Sequence, residues 1–390
     1  MTIKSKLPGI GTTIFTLMSQ MANDSGAINL AQGFPDFDPP EDLLALCDKY
    51  LRGGYNQYPP MSGVPYLREQ ICIKLKRLYQ VDLDAENEIT VTSGATESLF
   101  VAIQAVVRTG DEVIVFDPAY DSYEPAVTLA GGHTIHVPMA APEFHIDFDR
   151  LAAALNEKTR LIIVNSPHNP CGSIMVASDL EQLAELTRPY DLYILSDEVY
   201  EHMVYDGEIH HSLLAHEELK LKTFVVSSFG KTYHATGWKV AYCAAPAALT
   251  AEFRKIHQFV TFTTHTPTQW ALAEYMAKKP EHYLQLPAFY QAKRDLFNSA
   301  MSASGFTLVP SAGTYFQLAD YSNLSDLDDM AFATFLTREI GVAAIPISAF
   351  YEQPPDDRIV RFCFAKEDAT IVKAAAMLGK VQRTQATWES

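Results

Sequence analysis

One stretch decides the fold: Ser227-Ser228-Phe229-Gly230-Lys231-Thr232-Tyr233-His234-Ala235-Thr236-Gly237-Trp238-Lys239. The apolar run before it, Thr223 to Val226, is typical of a buried strand, and the small and hydroxylated residues bring Lys231 to the strand's end. A lysine at such a rim is either a solvated surface charge or, where neighbours lower its pKa, an amine nucleophile toward carbonyl groups. A P-loop is excluded, because that motif needs a glycine where Val225 stands.

The composition indicates a large globular protein with an acidic surface. A chain of 390 residues exceeds the size at which a single core stops growing, so we expect two domains. The 48% apolar and 20% charged residues are ordinary for a soluble enzyme. A formal charge of −17 argues against a nucleic-acid partner, since such a partner requires clustered lysine and arginine.

The cysteines and the hydropathy predict a cytoplasmic protein. The five cysteines are scattered, odd in number and never spaced as a metal-binding pair, so we expect a reducing compartment and no metal site. The first eight residues contain no apolar core of signal-peptide length. No later run approaches the roughly 18 apolar residues of a membrane span, so we expect no membrane partner.

From Glu88 onward short β-rich runs alternate with helical segments, which predicts an α/β fold with a mostly parallel sheet and helices on both faces. We expect an arm over residues 1–45, a large domain over 46–282 and a smaller α+β domain over 283–390 that also recruits the arm. The predicted strands are 89–92, 113–116, 161–164, 192–195 and 224–226, then 314–318, 342–345 and 359–364. The predicted helices are 64–79, 95–107, 283–302, 328–339 and 366–378.

Every distinctive polar cluster follows one of the first five strands. These clusters are 93–97, 117–120, 165–172, 196–200 and the opening stretch 227–239. Open α/β sheets bind ligands in the crevice at the carboxyl ends of their strands, so we expect the clusters to share one site. The turn over 94–96 opens a helix, where backbone N–H groups and the helix dipole favour a phosphate.

Such a site suits an aromatic cofactor with a phosphate and a reactive aldehyde. Lys231 would bond to the aldehyde, and Asp197 would pair with a ring nitrogen so that the ring draws electrons from bound substrate. Three side chains would contact the ring: Tyr200, Asn169 and Tyr120. Two would hold the phosphate: Ser228 and Lys239.

Each of these residues also has an ordinary structural explanation. Asp197 suits a helix cap, Asn169-Pro170 a turn, and both tyrosines a core or rim position. Arg361 alternates with apolar residues in a strand pattern, which predicts an inward guanidinium. A buried arginine demands an anion, either a structural carboxylate or that of a substrate.

Taken together, the motifs resemble the class I, fold type I aminotransferases that use pyridoxal 5′-phosphate. The resemblance lies in Ser-Phe-Gly-Lys231-Thr with Gly237-Trp238-Lys239, Ser196-Asp197-Glu198-Val199-Tyr200, Pro167-His168-Asn169-Pro170-Cys-Gly172, Asn56-Gln57-Tyr58, Gln32-Gly33-Phe34-Pro35-Asp36-Phe37 and Arg361-Phe-Cys-Phe. Within the family, the chain is most similar to the branch of kynurenine aminotransferases and bacterial methionine aminotransferases. The motifs occur in family order from about Thr12 to the carboxyl end.

The resemblance implies a role for each site residue. Lys231 bonds to the cofactor and then moves a proton between substrate Cα and cofactor C4′, while Asp197 pairs with the pyridine nitrogen. Asn169 and Tyr200 contact the ring oxygen, and Tyr120 stacks on the ring. The phosphate is held by the Ala95 and Thr96 amides, Ser228, Lys239 and, from the second subunit of a homodimer, Tyr58. The substrate α-carboxylate is held by Arg361, Asn169 and the Gly33 backbone.

Departures from the family pattern bear on the substrate. Lys239 stands where many class I members have arginine, and the residues at Thr96 and Tyr120 vary between relatives. The loop 261–267, which the resemblance brings in from the second subunit, has no arginine for a distal carboxylate. With Phe15, Tyr55 and Tyr120 expected near the side-chain pocket, we expect a neutral, bulky donor such as methionine, an aromatic amino acid, glutamine or kynurenine.

Other functions stay open at this point. A carbon–sulfur β-lyase would use the same cofactor but eliminate from Cβ of a cysteine conjugate. A non-catalytic regulator that senses the cofactor is disfavoured, because such chains carry a DNA-binding module and this one has no basic patch. A nicotinamide-dependent dehydrogenase is disfavoured because no G-x-G-x-x-G follows a strand.

Overall fold

A seven-stranded sheet forms the centre of the computed structural model, which describes residues 3–382. Its strands are β2 (Ile89–Thr92), β3 (Glu112–Asp117), β4 (His133–Pro138), β5 (Thr159–Asn165), β6 (Tyr193–Asp197), β7 (Thr223–Ser228) and β8 (Ala241–Ala244). They lie in the order β2-β8-β7-β6-β5-β3-β4. Only β8 among these strands runs antiparallel to its neighbours. The predicted mostly parallel sheet is therefore confirmed, and β2, β3, β5, β6 and β7 end at the same edge.

Two smaller sheets contain the remaining strands of the described chain. They are β1 (Ile28–Asn29), β9 (Thr307–Leu308), β10 (Phe316–Asp320), β11 (Val342–Ala343), β12 (Ile345–Pro346) and β13 (Ile359–Cys363). The order β12-β13-β10-β9 forms an antiparallel sheet, and β1 pairs in parallel with β11. The amino-terminal arm is thus hydrogen-bonded to the last third of the chain.

The helices cover both faces of the large sheet and surround the small one. They are α1 (Ile14–Ser25), α2 (Glu41–Arg52), α3 (Pro65–Tyr79), α4 (Ala95–Val106), α5 (Tyr123–Ala130), α6 (Phe148–Ala154), α7 (Ala177–Thr187), α8 (Phe229–Thr232), α9 (Ala247–Val260), α10 (Thr266–Lys278), α11 (Glu281–Met301), α12 (Asp329–Phe335) and α13 (Asp368–Leu378). A π-helical turn, Leu336–Ile340, follows α12, and 3₁₀ turns occur at Leu213–Ala215, Leu219–Lys222, Thr236–Trp238 and Ile347–Phe350.

The apolar residues of the parallel strands alternate between two cores because side chains along a strand point to opposite faces. Val113, Val115 and Leu161 pack with α4, α5 and α9 on one face. Ile114 and Ile162 pack with α6 and α7 on the other. Burial on both faces explains why these strands are continuous apolar runs in the sequence.

Some elements differ from those predicted. Helix α1 was not predicted, although it begins after the cap Thr13, whose hydroxyl accepts the Thr16 N–H at 3.3 Å, and ends at left-handed Gly26. The strand predicted from Thr314 begins at Phe316, because Thr314 has φ +64 and caps the Phe316 N–H in a turn. The strand predicted over 342–345 is two strands, since the chain passes between sheets at Ala344.

The division into 1–45, 46–282 and 283–390 stays a prediction, and residues 1–2 and 383–390 of it lie outside the described residues. Within residues 3–382, no helix is both long enough and apolar enough to cross a bilayer.

Candidate active site

A cleft of about 940 Å³, including its open mouth, lies at the carboxyl ends of the parallel strands. The twelve predicted site residues that line it come from all parts of the chain: Phe15, Gly33, Ala95, Thr96, Tyr120, Asn169, Asp197, Tyr200, Ser228, Lys231, Lys239 and Arg361. Their convergence follows from the topology, because parallel strands deliver their last residues to one edge.

Lys231 lies on the short helix α8, which continues directly from strand β7. Its side chain is half-buried, and its Nζ donates to Tyr315 Oη at 2.7 Å and to the Gly33 carbonyl at 3.2 Å. Desolvation lowers the pKa of this ammonium to about 8. A substantial fraction of Lys231 is therefore a neutral amine near pH 8, which is the form that attacks carbonyl carbon or accepts a proton.

Asp197 is the last residue of β6 and is 4% exposed. Its carboxylate accepts hydrogen bonds from the Tyr123 hydroxyl at 2.8 Å and from the Val199 N–H at 3.3 Å. Burial raises the pKa of Asp197 to about 6. No lysine or arginine of residues 3–382 forms an ion pair with it, so a cationic partner would have to enter from the cleft.

Arg361, in the middle of β13, is 0% exposed. Its Nη1 donates to Asn169 Oδ1 at 2.6 Å and its Nη2 to the Ala31 carbonyl at 3.0 Å, while its Nε has no partner within the described chain. The guanidinium lies 3.8 Å from the ring centroid of Phe316. Desolvation lowers the pKa of Arg361 to about 10. No carboxylate of residues 3–382 hydrogen-bonds to this buried cation, and Asp121 acts on it only at longer range, which favours an anionic ligand over a structural role.

The turn before α4 forms an anion site. Gly94 has φ +88, a left-handed value, and a Cβ there would lie 2.8 Å from Lys239 Cε and 3.0 Å from its Nζ. The Lys239 ammonium therefore packs over the turn where α4 presents its first free N–H groups. The buried Ser228 lies on the same side of the cleft. A positive charge, a hydroxyl and a helix start together suit a phosphate.

The aromatic residues named from the sequence are divided between two places. Phe15 and Tyr120 line the cleft, and the Phe15 ring lies 5.4 Å from the Arg361 guanidinium. Tyr55 does not line it: its ring packs on Trp270 at 5.2 Å. Tyr58 is 83% exposed and lies with residues 263–267 around a separate surface pocket of about 950 Å³.

Sequence reasoning missed two tyrosines that support the site. Tyr123 holds Asp197, and its position three residues after Tyr120 at the start of α5 was the available signal. Tyr315 holds Lys231, and no local pattern marks it because its contact depends on the packing of the small antiparallel sheet against the large one. Eight further residues line the cleft: Gln32, Gly94, Leu99, Asn165, Val199, Gly230, Thr236 and Phe316.

The arrangement combines four chemical groups within one cleft. A part-buried amine of lowered pKa lies with a buried carboxylate, an unpaired buried guanidinium and an anion site. Such a site is able to bind a phosphorylated ring and a second, carboxylate-bearing molecule at the same time. It supplies one base for proton transfer between them.

Comparison with known proteins gives concordant results. The family model for aminotransferase class I and II matches residues 25–378. A methionine aminotransferase from Escherichia coli is 50% identical over 375 residues, which cover 96% of this chain and 97% of the relative. A kynurenine–oxoglutarate transaminase from Dictyostelium discoideum is 34% identical, with 96% and 95% covered. The crystal structure of an E. coli protein with methionine aminotransferase function superposes with a TM-score of 0.96 at 49% identity, covering 97% of this chain and all of that one.

Proposed function

The chain belongs to the class I and II aminotransferases, and from this premise we propose that it moves the amino group of a neutral, bulky L-amino acid to a 2-oxo acid with pyridoxal 5′-phosphate as cofactor. The observation that carries the proposal is the meeting of Lys231, Asp197 and the Gly94–Thr96 turn in one cleft. These three groups match the aldehyde, ring nitrogen and phosphate of that cofactor.

The residues present fit the cofactor at each end. Gly94 leaves room for the Lys239 side chain over the helix start, and the Ala95 and Thr96 amides and Ser228 complete a phosphate site. Asp197 is a buried carboxylate without a cationic partner among residues 3–382, which suits a protonated pyridine nitrogen. Asn169 and Tyr200 are assigned to the ring oxygen and Tyr120 to the ring face.

The chemistry divides between the cofactor and the chain. Bound pyridoxal phosphate supplies an electron-withdrawing ring that stabilises the electron pair left on substrate Cα. Asp197 keeps the pyridine nitrogen protonated and so maintains that withdrawal. Lys231, once free as an amine, would take the proton from substrate Cα and return it at cofactor C4′. A lysine with a pKa of about 8 is suited to both steps, since it gains and loses a proton readily near neutral pH.

The cleft also restricts the donor. Three cationic side chains line it, and two of them are assigned to the cofactor: Lys231 and Lys239. Arg361 is thus the one left for the α-carboxylate, assisted by Asn169 and the Gly33 backbone. A second carboxylate on the donor would find no cation in this wall. We therefore assign a neutral side chain, packed against Phe15 and Tyr120, with methionine and the kynurenine-like aromatics as the first substrates to examine.

We further propose a homodimer that works in the cytoplasm. The exposed side chains of Tyr58, Phe259 (86%) and Phe262 (41%) form an apolar surface beside the pocket of residues 56–58 and 263–267. A second copy covering this surface would bring Tyr58 to its partner's phosphate site. The five cysteines are all free, which supports a reducing compartment.

Borohydride reduction followed by peptide mapping tests the central assignment. The reduced cofactor should be found on Lys231 in the wild type and nowhere in a Lys231→Ala variant. Label on another lysine would refute the assignment.

The preferred donor is identified by a scan of amino acids in the first half-reaction, measured as the loss of cofactor absorbance. Faster conversion by aspartate than by methionine would refute the neutral-donor proposal, and keto-acid-independent release of pyruvate and ammonia from a cysteine conjugate would identify the β-lyase instead.

A further inference from the structure

The amine of Lys231 contacts two oxygen atoms. One is the Tyr315 hydroxyl at 2.7 Å and the other is the Gly33 carbonyl at 3.2 Å. The Tyr315 hydroxyl in turn donates its own proton to the Gly33 carbonyl at 2.6 Å. Because that proton is already committed, the Tyr315 oxygen is available to Lys231 only as an acceptor.

This contact pattern fixes one side of the amine. The Tyr315 and Gly33 oxygens lie only 2.6 Å from each other, so they occupy the same side of Nζ and share one N–H bond of the amine. The other N–H bond and the lone pair of the neutral amine then point away from these two acceptors, and Lys231 lines the same open cleft as Asp197 and Arg361. In the ammonium form the two remaining N–H bonds take these directions. A proton accepted from the cleft is therefore held where it can be returned to the cleft.

We propose that Tyr315 is a positioning residue that orients the free amine of Lys231 for proton transfer at substrate Cα and cofactor C4′. The inference rests on the proposed function, in which Lys231 is the base. Two bonds change when Lys231 takes the Cα proton: the C–H bond breaks and a new N–H bond forms from the amine lone pair. Neither acceptor has to move, since the Tyr315 and Gly33 contacts are present before and after the transfer.

The packing around Tyr315 holds its hydroxyl in place. The residue is 0% exposed, and its ring meets Tyr200 edge-on at 5.2 Å and Tyr290 at 5.7 Å. Gly33 is fixed as well, because a Cβ there would lie 2.8 Å from Phe316 Cζ. Burial keeps the pKa of Tyr315 well above its ordinary range, so the hydroxyl stays protonated at the pH where Lys231 titrates. The other ionisable groups that act on Lys231 are Cys363, Arg361, Lys239 and Asp197.

The test compares Tyr315→Phe with Tyr290→Phe. Tyr290 is equally buried and adjacent, but its hydroxyl contacts His234 at 3.0 Å and not Lys231. In single turnovers of the cofactor-loaded enzyme with methionine, Tyr315→Phe should slow the first half-reaction about tenfold, the effect of one lost hydrogen bond, and enlarge the isotope effect on α-deuteration. The KM for methionine should stay within a factor of about two. Tyr290→Phe should match the wild type in all three measurements.

A second readout uses the cofactor-free protein. The rate at which pyridoxal phosphate bonds to Lys231 should rise with pH as the amine loses its proton, and the midpoint of that rise should shift in Tyr315→Phe but not in Tyr290→Phe. Replacement of Tyr315 by 3-fluorotyrosine, which keeps the ring shape and weakens the oxygen as an acceptor, should give an intermediate rate. This variant preserves the test if Tyr315→Phe does not fold.

The outcomes separate this inference from the proposed function. If Tyr315→Phe and Tyr290→Phe behave alike while borohydride still labels Lys231, the role of Tyr315 is refuted and the function stands. An equal loss in both variants with a lowered melting temperature would refute positioning in favour of simple packing. If Lys231 is not labelled in the wild type, the proposed function itself fails.

Discussion

Replacement of Arg361 by methionine should abolish most of the activity and leave the stability nearly unchanged. The side chain is fully buried and hydrogen-bonds to no carboxylate of residues 3–382, while Asp121 acts on it only at longer range. Its guanidinium contacts only neutral oxygens in the described chain, Asn169 Oδ1 and the Ala31 carbonyl, and it lies on the ring of Phe316. Methionine fills a similar volume without the charge.

Two opposing effects on stability nearly cancel. The fall in the pKa of Arg361 to about 10 corresponds to about 3 kcal/mol against the charged form, and the substitution removes this penalty. It also leaves two acceptors without donors, each of which costs about 1–3 kcal/mol. The free energy of unfolding should therefore change by an amount between a gain of about 1 kcal/mol and a loss of about 3 kcal/mol. An arginine paired to a protein carboxylate would instead cost about 3–5 kcal/mol when removed.

The substitution should greatly lower kcat/KM. Loss of a buried charge pair with the substrate carboxylate costs about 2–5 kcal/mol, which is about 30- to 3,000-fold in kcat/KM. Steady-state kinetics with methionine and a urea unfolding curve measure the two quantities. Arg254→Met is the control, because Arg254 binds the Ile89 carbonyl at 2.6 Å away from the cleft and should change kcat/KM by less than about threefold. Unchanged kcat/KM in Arg361→Met, or a loss of more than about 3 kcal/mol of stability, would refute the assignment.

Three further changes have defined outcomes. Asp197→Asn should stabilise the cofactor-free protein at pH 7 by about 3 kcal/mol in urea unfolding, because the raised pKa penalises the carboxylate increasingly between pH about 4 and 6. A gain that does not shrink as pH falls would contradict this. Gly94 and Gly110 both have φ near +89, so replacing either by alanine should cost about 1 kcal/mol of stability. Only Gly94→Ala, where the new Cβ meets Lys239, should weaken pyridoxal phosphate binding in a dialysis titration. Lys239→Gln should raise the Kd of pyridoxal phosphate about 10- to 100-fold and leave that of pyridoxal, which lacks the phosphate, unaltered; equal losses for both ligands would exclude a phosphate contact.

The sequence predicted those features that depend on local pattern. The mostly parallel sheet was confirmed because each apolar run is buried on both faces, and such runs stand out in a sequence. The same pattern places the polar clusters at strand ends, so the sequence alone predicts that Lys231, Asp197 and Asn169 lie close together. Their chemical roles remain predictions, since contacts alone do not test them.

Long-range packing explains what could not be predicted. Tyr315 contacts Lys231 only because the small antiparallel sheet packs against the large one, and no spacing in the chain encodes that approach. The antiparallel strand β8 follows Lys239, whose backbone is left-handed, and a lysine in the sequence does not predict that conformation. Tyr55 was expected near the substrate because it is aromatic, yet it packs on Trp270. Tyr55 is also 42% exposed, so aromatic character does not distinguish a pocket wall from an aromatic contact at the surface.

The pairing of β1 with β11 has a consequence for synthesis of the chain. The Leu30 carbonyl accepts a hydrogen bond from the Cys363 N–H at 2.7 Å, and the Ala31 carbonyl accepts one from Arg361. The amino-terminal part of the cleft is thus bound to residues that are synthesised near the end of the chain. During translation the amino-terminal arm emerges early, its strand β1 has no sheet partner until about residue 343 has left the ribosome, and its contacts with Arg361 and Cys363 form later still. A nascent chain that ends before strand β13 should form the large sheet but lack Arg361, the residue that we propose to bind the substrate carboxylate.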